Sequence, residues 1–98
     1  ERRGNDLYTI ATVTLADSVL GGEVQITTLT DNIFLRIPEE TQNGSYFRLT
    51  GKGMPTLRNP NEYGNMYARI QVQIPTHLSD REKELFEELK RIQEEQKG

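Results

Sequence analysis

Hydrophobic and polar positions alternate most clearly over residues 63–75, YGNMYARIQVQIP. Met66, Ala68, Ile70, Val72 and Ile74 fall on one parity, and Tyr67, Arg69, Gln71 and Gln73 on the other. Successive side chains of a strand leave a pleated backbone on opposite faces, so this pattern predicts a long, half-buried, central strand. Gly64 opens it, and Pro75, which has no N–H for a ladder, closes it. Residues 6–15 (DLYTIATVTL) predict a second strand, rich in β-branched and aromatic side chains. Its alternation is imperfect, which implies either two partly covered faces or a bulge.

The period then changes. Over residues 14–22 (TLADSVLGG), Thr14 and Asp17 have capping spacing and the paired glycines can end a short helix, which Leu15, Val19 and Leu20 would anchor to a sheet. Residues 23–29 and 32–37 read as a hairpin turning at Thr30-Asp31-Asn32. Its second arm points Ile33, Leu35 and Ile37 one way and Phe34 and Arg36 the other. A polar loop at 38–44 precedes a short strand at 45–50, with Phe47 and Leu49 on one face. Residues 51–63 form a turn-rich excursion, expected to be the most mobile segment. Ser79-Asp80-Arg81-Glu82 is a capping box that opens a second helix. Leu85, Phe86, Leu89 and Ile92 form its narrow apolar stripe, and Glu87 with Arg91 has i, i+4 spacing. Such a helix is marginal alone, so the stripe must dock on something. The core is expected from Leu15, Val19, Leu20, Ile26, Ile33, Leu35, Phe47, Leu49, Met66, Ile70, Val72 and Ile74.

Composition narrows the function classes. Ninety-eight residues at 34% hydrophobic content suit one small core. Cysteine is absent, which removes disulfides and thiolate metal sites. No apolar run is long enough to span a bilayer, and no signal-peptide core is present, so no membrane partner and a cytoplasmic location are expected. A net charge of −3, from 15 acidic and 12 basic side chains, argues against duplex nucleic acid as a partner. Glu1-Arg2-Arg3-Gly4-Asn5 reads as a cut within a longer chain, so a fragment is expected. The charge is concentrated at residues 79–98, with seven acidic and five basic groups.

Candidate chemistry changes the picture little. His77, the one histidine, lacks a nucleophile and an orienting carboxylate in its pattern and reads as a loop residue. Glu39-Glu40 reads as solvated charge. Gly51-Lys52-Gly53 lacks the spacing of a phosphate loop, and no helix follows it. No enzyme constellation emerges, and neither a cofactor nor a metal is expected.

Five collinear strings carry a resemblance: ERRGNDLY, TLADSVLGGEV, TTLTDNIFLRIPEETQNGSYFRLTGKGMP, GNMYARIQVQIP and LSDREKELFEEL. Together they resemble the second C-terminal domain of DnaJ-type co-chaperones, from Arg3 to about Ile92. The resemblance implies a mainly β fold: a small two-sheet, sandwich-like domain with one short helix over residues 1–78, then a C-terminal amphipathic helix over residues 79–98 used in homodimerisation. The parent protein would carry a J-domain, absent from this sequence, that stimulates an ATP-driven heat-shock chaperone. Unfolded polypeptides would be the clients. By analogy with the sister domain's groove, the client-binding positions here are Thr9, Ala11, Ile26 and Thr28, of which only Ile26 is large and apolar. The implied dimer contacts are Leu85, Phe86, Leu89 and Ile92. Two departures stand out. Gly64-Asn65 replaces the family's usual Gly-Asp, and Thr27-Thr28-Leu29-Thr30-Asp31-Asn32 replaces its Pro-Thr-Leu-Asp-Gly hairpin, leaving the turn type open. Three functional readings follow: a client-binding and dimerising domain, a purely structural dimerisation module, and an unrelated β-rich enzyme or ligand-binding domain.

Overall fold

A computed structural model describes residues 2–97; Glu1 and Gly98, which mark the outer limits of the two expected domains, lie outside the described residues. The strands are β1 (Arg2–Arg3), β2 (Asp6–Thr14), β3 (Gly22–Thr27), β4 (Asn32–Ile37), β5 (Tyr46–Leu49) and β6 (Met66–Gln73). The helices are α1 (Leu15–Leu20), between β2 and β3, and α2 (Asp80–Lys97) at the end. The fold is mainly β, with two small sheets. One has the order β1-β2-β6-β5 and the other is the β3-β4 hairpin.

The strand expected to be central is central. β6 pairs parallel to β2, with Leu7 opposite Met66 and Ala11 opposite Ile70, and antiparallel to β5, with Phe47 opposite Ala68. Its edge towards β5 is extended beyond that strand. Ile70 N–H donates to the Ser45 carbonyl and the Ile70 carbonyl accepts from Gly44 N–H, each at 2.8 Å, and Val72 N–H donates to the Asn43 side chain at 2.9 Å. The parity also matches: Met66, Ala68 and Ile70 are buried. Ile74 departs from expectation. It lies past the end of β6, where β2 has already turned into α1, and is 69% exposed.

The core joins both sheets: Ala11, Val13, Met66, Ala68 and Ile70 from one, Ile26 and Ile37 from the other, with Leu35, Phe47 and Val72 packed at its margin. The imperfect alternation of β2 is resolved without a bulge in its register with β6. Ala11 and Val13 face the core, while Ile10 faces outward. Tyr8 also points outward and stacks on Tyr67, with ring centroids 5.1 Å apart.

Helix α1 is capped as expected, with Asp17 N–H donating to Thr14 Oγ1 at 3.1 Å, and Gly21 follows at φ +88°. The side of α1 turned to the sheet is different. Val19 and Leu20 are exposed, and Ser18 is the buried residue. Ser18 Oγ donates to the Leu15 carbonyl at 2.9 Å, so its hydroxyl is satisfied within the helix and can be buried at little cost. The hairpin turn also shifts back, to Thr28–Asp31: Thr28 N–H donates to the Asp31 carbonyl at 2.8 Å.

The excursion closes on itself. Pro55 bridges Tyr63, and Thr56 accepts Asn59 N–H at 3.1 Å while Leu57 stands free in solvent. At its base the backbones of Asn5, Gly53 and Gly64 meet. Met54 N–H donates to the Asn5 carbonyl at 2.7 Å and Gly53 N–H to the Gly64 carbonyl at 2.9 Å. A Cβ on Gly53 or Gly64 would run into the Asn5 carbonyl, so only glycine permits this approach.

Candidate functional site

Helix α2 begins with a complete capping box. Ser79 Oγ accepts from Glu82 N–H at 3.1 Å, and the Glu82 carboxylate accepts from Ser79 N–H at 2.8 Å. That backbone donor, followed by the Ser79 side chain, holds the Glu82 carboxyl below the usual glutamate range. Because the folded pKa is depressed, the cap's contribution is present above the unfolded value and lost as pH falls through the folded one. Far-UV circular dichroism should show a partial loss of helix signal over that acidic window. Ser79→Ala should weaken the helix by roughly 1 kcal/mol at neutral pH and reduce this pH dependence without abolishing it, because the residue-79 N–H still donates to the Glu82 carboxylate. An acid titration of helix signal identical in wild type and Ser79→Ala would contradict the capping argument.

Beyond the cap, α2 is solvated by charge. Arg81 pairs with Glu84 at 3.3 Å. Arg91 reaches Glu88 at 3.9 Å and Glu95 at 3.8 Å, rather than Glu87 as its spacing suggested. Arg91 is flanked on both sides, so it sits between two carboxylates instead of turning to a third. Among the described residues no α2 side chain is buried. The stripe of Leu85, Phe86, Leu89 and Ile92 is therefore not covered by the chain's own sheets, and its members are 38–47% exposed. At its N-terminal end Phe86 and Glu82 line an open cleft with Leu15, Ile74 and Pro75, at the end of the four-stranded sheet. The molecule is elongated, 58 Å against 29 and 19 Å.

The four expected client positions are placed differently. Thr9 and Ala11 lie on the inward parity of β2, opposite Ala68 and Ile70. Ile26 lies on β3, opposite Ile33. Ala11 and Ile26 belong to one buried cluster, so the structure brings them together, but as core. Thr28 is also buried, at the hairpin turn, where its hydroxyl donates to the Asp31 carboxylate and accepts Asp31 N–H at 3.0 Å. Thr9 is half-buried. These four residues present no open groove in this conformation.

The remaining candidates take structural places. Lys52 Nζ lies 3.1 Å from Asp31 Oδ2, tying the Gly51-Lys52-Gly53 loop to the hairpin turn across 21 residues of sequence. The Thr28 hydroxyl, and then Lys52, hold the Asp31 carboxyl below its usual range. No local pattern marks that ion pair, and sequence reasoning did not anticipate it. His77 is exposed at φ +53°, and Glu39 and Glu40 are exposed in the loop after β4. Among the described residues no helix is long and apolar enough to cross a membrane.

Comparison with known proteins finds relatives over almost all of the chain. The chain is 42% identical over 98 residues to a chaperone protein DnaJ from Brevibacillus choshinensis, covering all of this chain and 26% of that protein. It is 43% identical over 93 residues to a chaperone protein DnaJ from Mesorhizobium japonicum, covering 94% and 24%. A third, from Dichelobacter nodosus, is 42% identical over 86 residues, covering 88% and 23%. The chain thus spans about a quarter of the length of the curated relatives it matches. A family model described as the DnaJ C terminal domain matches residues 1–75, the β-rich part, and ends before α2. The chain belongs to the DnaJ C terminal domain family.

Proposed function

We propose that this chain is the part of a co-chaperone that helps bind unfolded polypeptides and homodimerises its parent protein, so that clients are delivered to an ATP-driven heat-shock chaperone. The two units of the reading are the β-rich domain, residues 1–78, and the dimerising helix, residues 79–98. The chain carries out no catalytic step and requires no cofactor. The J-domain that engages the ATPase belongs to the rest of the parent protein, and the location is cytoplasmic. Family membership supports the chaperone reading. The observation that carries the dimer is the exposed stripe of Leu85, Phe86, Leu89 and Ile92 on a helix with no buried side chain.

Client contact at Ala11 and Ile26 requires the two sheets to part locally, because these side chains belong to the core, whereas Thr9 is half-buried and Thr28 lies at the hairpin turn. That makes the individual domain a weak binder, and the dimer a better one through two linked contacts. A titration of the chain with a labelled, reduced and carboxymethylated α-lactalbumin tests this. Binding is expected, weakened by about tenfold or more when Phe86→Glu and Leu89→Glu remove the second contact. No binding by an intact dimer would instead support the purely structural module.

A further inference from the structure

The outer face of the four-stranded sheet carries a surface the co-chaperone reading does not use. Its inner face is covered by the β3-β4 hairpin, so the outer face is turned to solvent. The strand registers set six side chains there in two rows. Tyr8 of β2, Tyr67 of β6 and Arg48 of β5 stand side by side. One step along, Ile10, Arg69 and Tyr46 do the same. Ile10 and Tyr46 are largely exposed, and both arginines are exposed. Among the described residues neither Arg48 nor Arg69 has an ion pair, and no carboxylate stands in either row. On a chain of net charge −3, this is a local cationic and aromatic platform.

We propose that this face binds an extended, acidic polypeptide segment with carboxylates at alternate positions. Arg48 lies opposite Tyr67 and Arg69 opposite Tyr46, so the two arginines occupy diagonal positions of the antiparallel pair. Such diagonal positions are about 7–8 Å apart. Alternate side chains of an extended chain are spaced about 6.6–6.8 Å, which matches. Each guanidinium can take one carboxylate through paired N–H donors. The intervening side chains of the bound segment would rest on the stacked Tyr8 and Tyr67 rings and on Ile10. A single-stranded nucleic acid would also find aromatic rings and arginines here. It is disfavoured because two cations on an acidic chain supply little of the phosphate neutralisation that such binding draws on.

Fluorescence anisotropy of a short labelled peptide with aspartate at every second position, threonine and valine between, tests the assignment. Binding is expected to weaken about three- to fivefold for Arg48→Gln and again for Arg69→Gln, and to weaken with added salt. A peptide of equal charge with its aspartates in one adjacent block should bind less tightly. Both arginines are exposed, so circular dichroism should show the variants folded. Equal affinity for the two peptides, no response to either substitution, or tighter binding of a single-stranded oligonucleotide of equal charge would each overturn the proposal.

Discussion

Replacing Ile70 with alanine should lower the stability of the folded chain by roughly 2–5 kcal/mol, the range for emptying a packed aliphatic site. Ile70 is 1% exposed and among the largest fully buried side chains. It sits on the strand that both β2 and β5 pair with, directly opposite Ala11, a small residue that cannot swing in to fill the space. Its own amide and carbonyl are held by Ser45 and Gly44, so the backbone is not free to collapse into the cavity either. A domain of this size has about 5–15 kcal/mol in total, so a large share of its stability would go. Ile74→Ala is the matched control. It removes the same atoms from the same parity, but from a position 69% exposed, and should change stability by no more than about 0.5 kcal/mol. Denaturant melts of the two variants, each made in the Phe86→Glu, Leu89→Glu background so that association does not contribute, check both. Equal losses would mean that burial does not end with β6.

What the sequence disclosed depended on how far a signal reaches along the chain. The parity of β6 was legible because eight alternating residues leave one reading, and Pro75 marks the stop. The α2 cap was legible because Ser79 and Glu82 are three residues apart and bond to each other. Pairing was not legible. That β6 runs parallel to β2 depends on a connection that passes through α1, the hairpin and β5, and nothing within either strand encodes it. Six residues of α1 are too few for a helical period to choose a face, and hydrophobicity pointed to Val19 and Leu20 where Ser18 is buried. Ala11 and Ala68 escaped the expected core because they are small; close packing of β2 on β6 against the hairpin makes them core. The client positions came by analogy from a sister domain, and analogy carries no information on burial in this one. The Lys52 and Asp31 pair joins two loops that only the folded chain brings together.

The proposed dimer rests on magnitudes that nearly balance. Burying a Leu, Ile or Phe side chain completely contributes about 1.5–3 kcal/mol. The stripe residues are 38–47% exposed, so somewhat under half of that remains to be gained, about 1 kcal/mol each. Four from each of two copies give about 8 kcal/mol, within the association cost of roughly 4–15 kcal/mol. The stripe alone would therefore make a weak dimer, and the proposal draws a further contribution from the cleft lined by Ile74 and Phe86, since Ile74 is one of the more exposed apolar side chains near the helix. A two-fold arrangement would let each copy offer both stripe and cleft. Phe86 and Leu89 lie in the middle of the stripe, so they should dominate the proposed contact. Glutamate at both positions retains helix propensity, places like charges across the two-fold axis, and leaves the sheets untouched because α2 buries nothing. Sedimentation of the chain at about 100 µM, wild type against the Phe86→Glu, Leu89→Glu double variant, is the most direct measurement. The account predicts a two-fold mass for wild type and a folded monomer for the variant; a monomeric wild type, or a folded variant that remains dimeric, would contradict it.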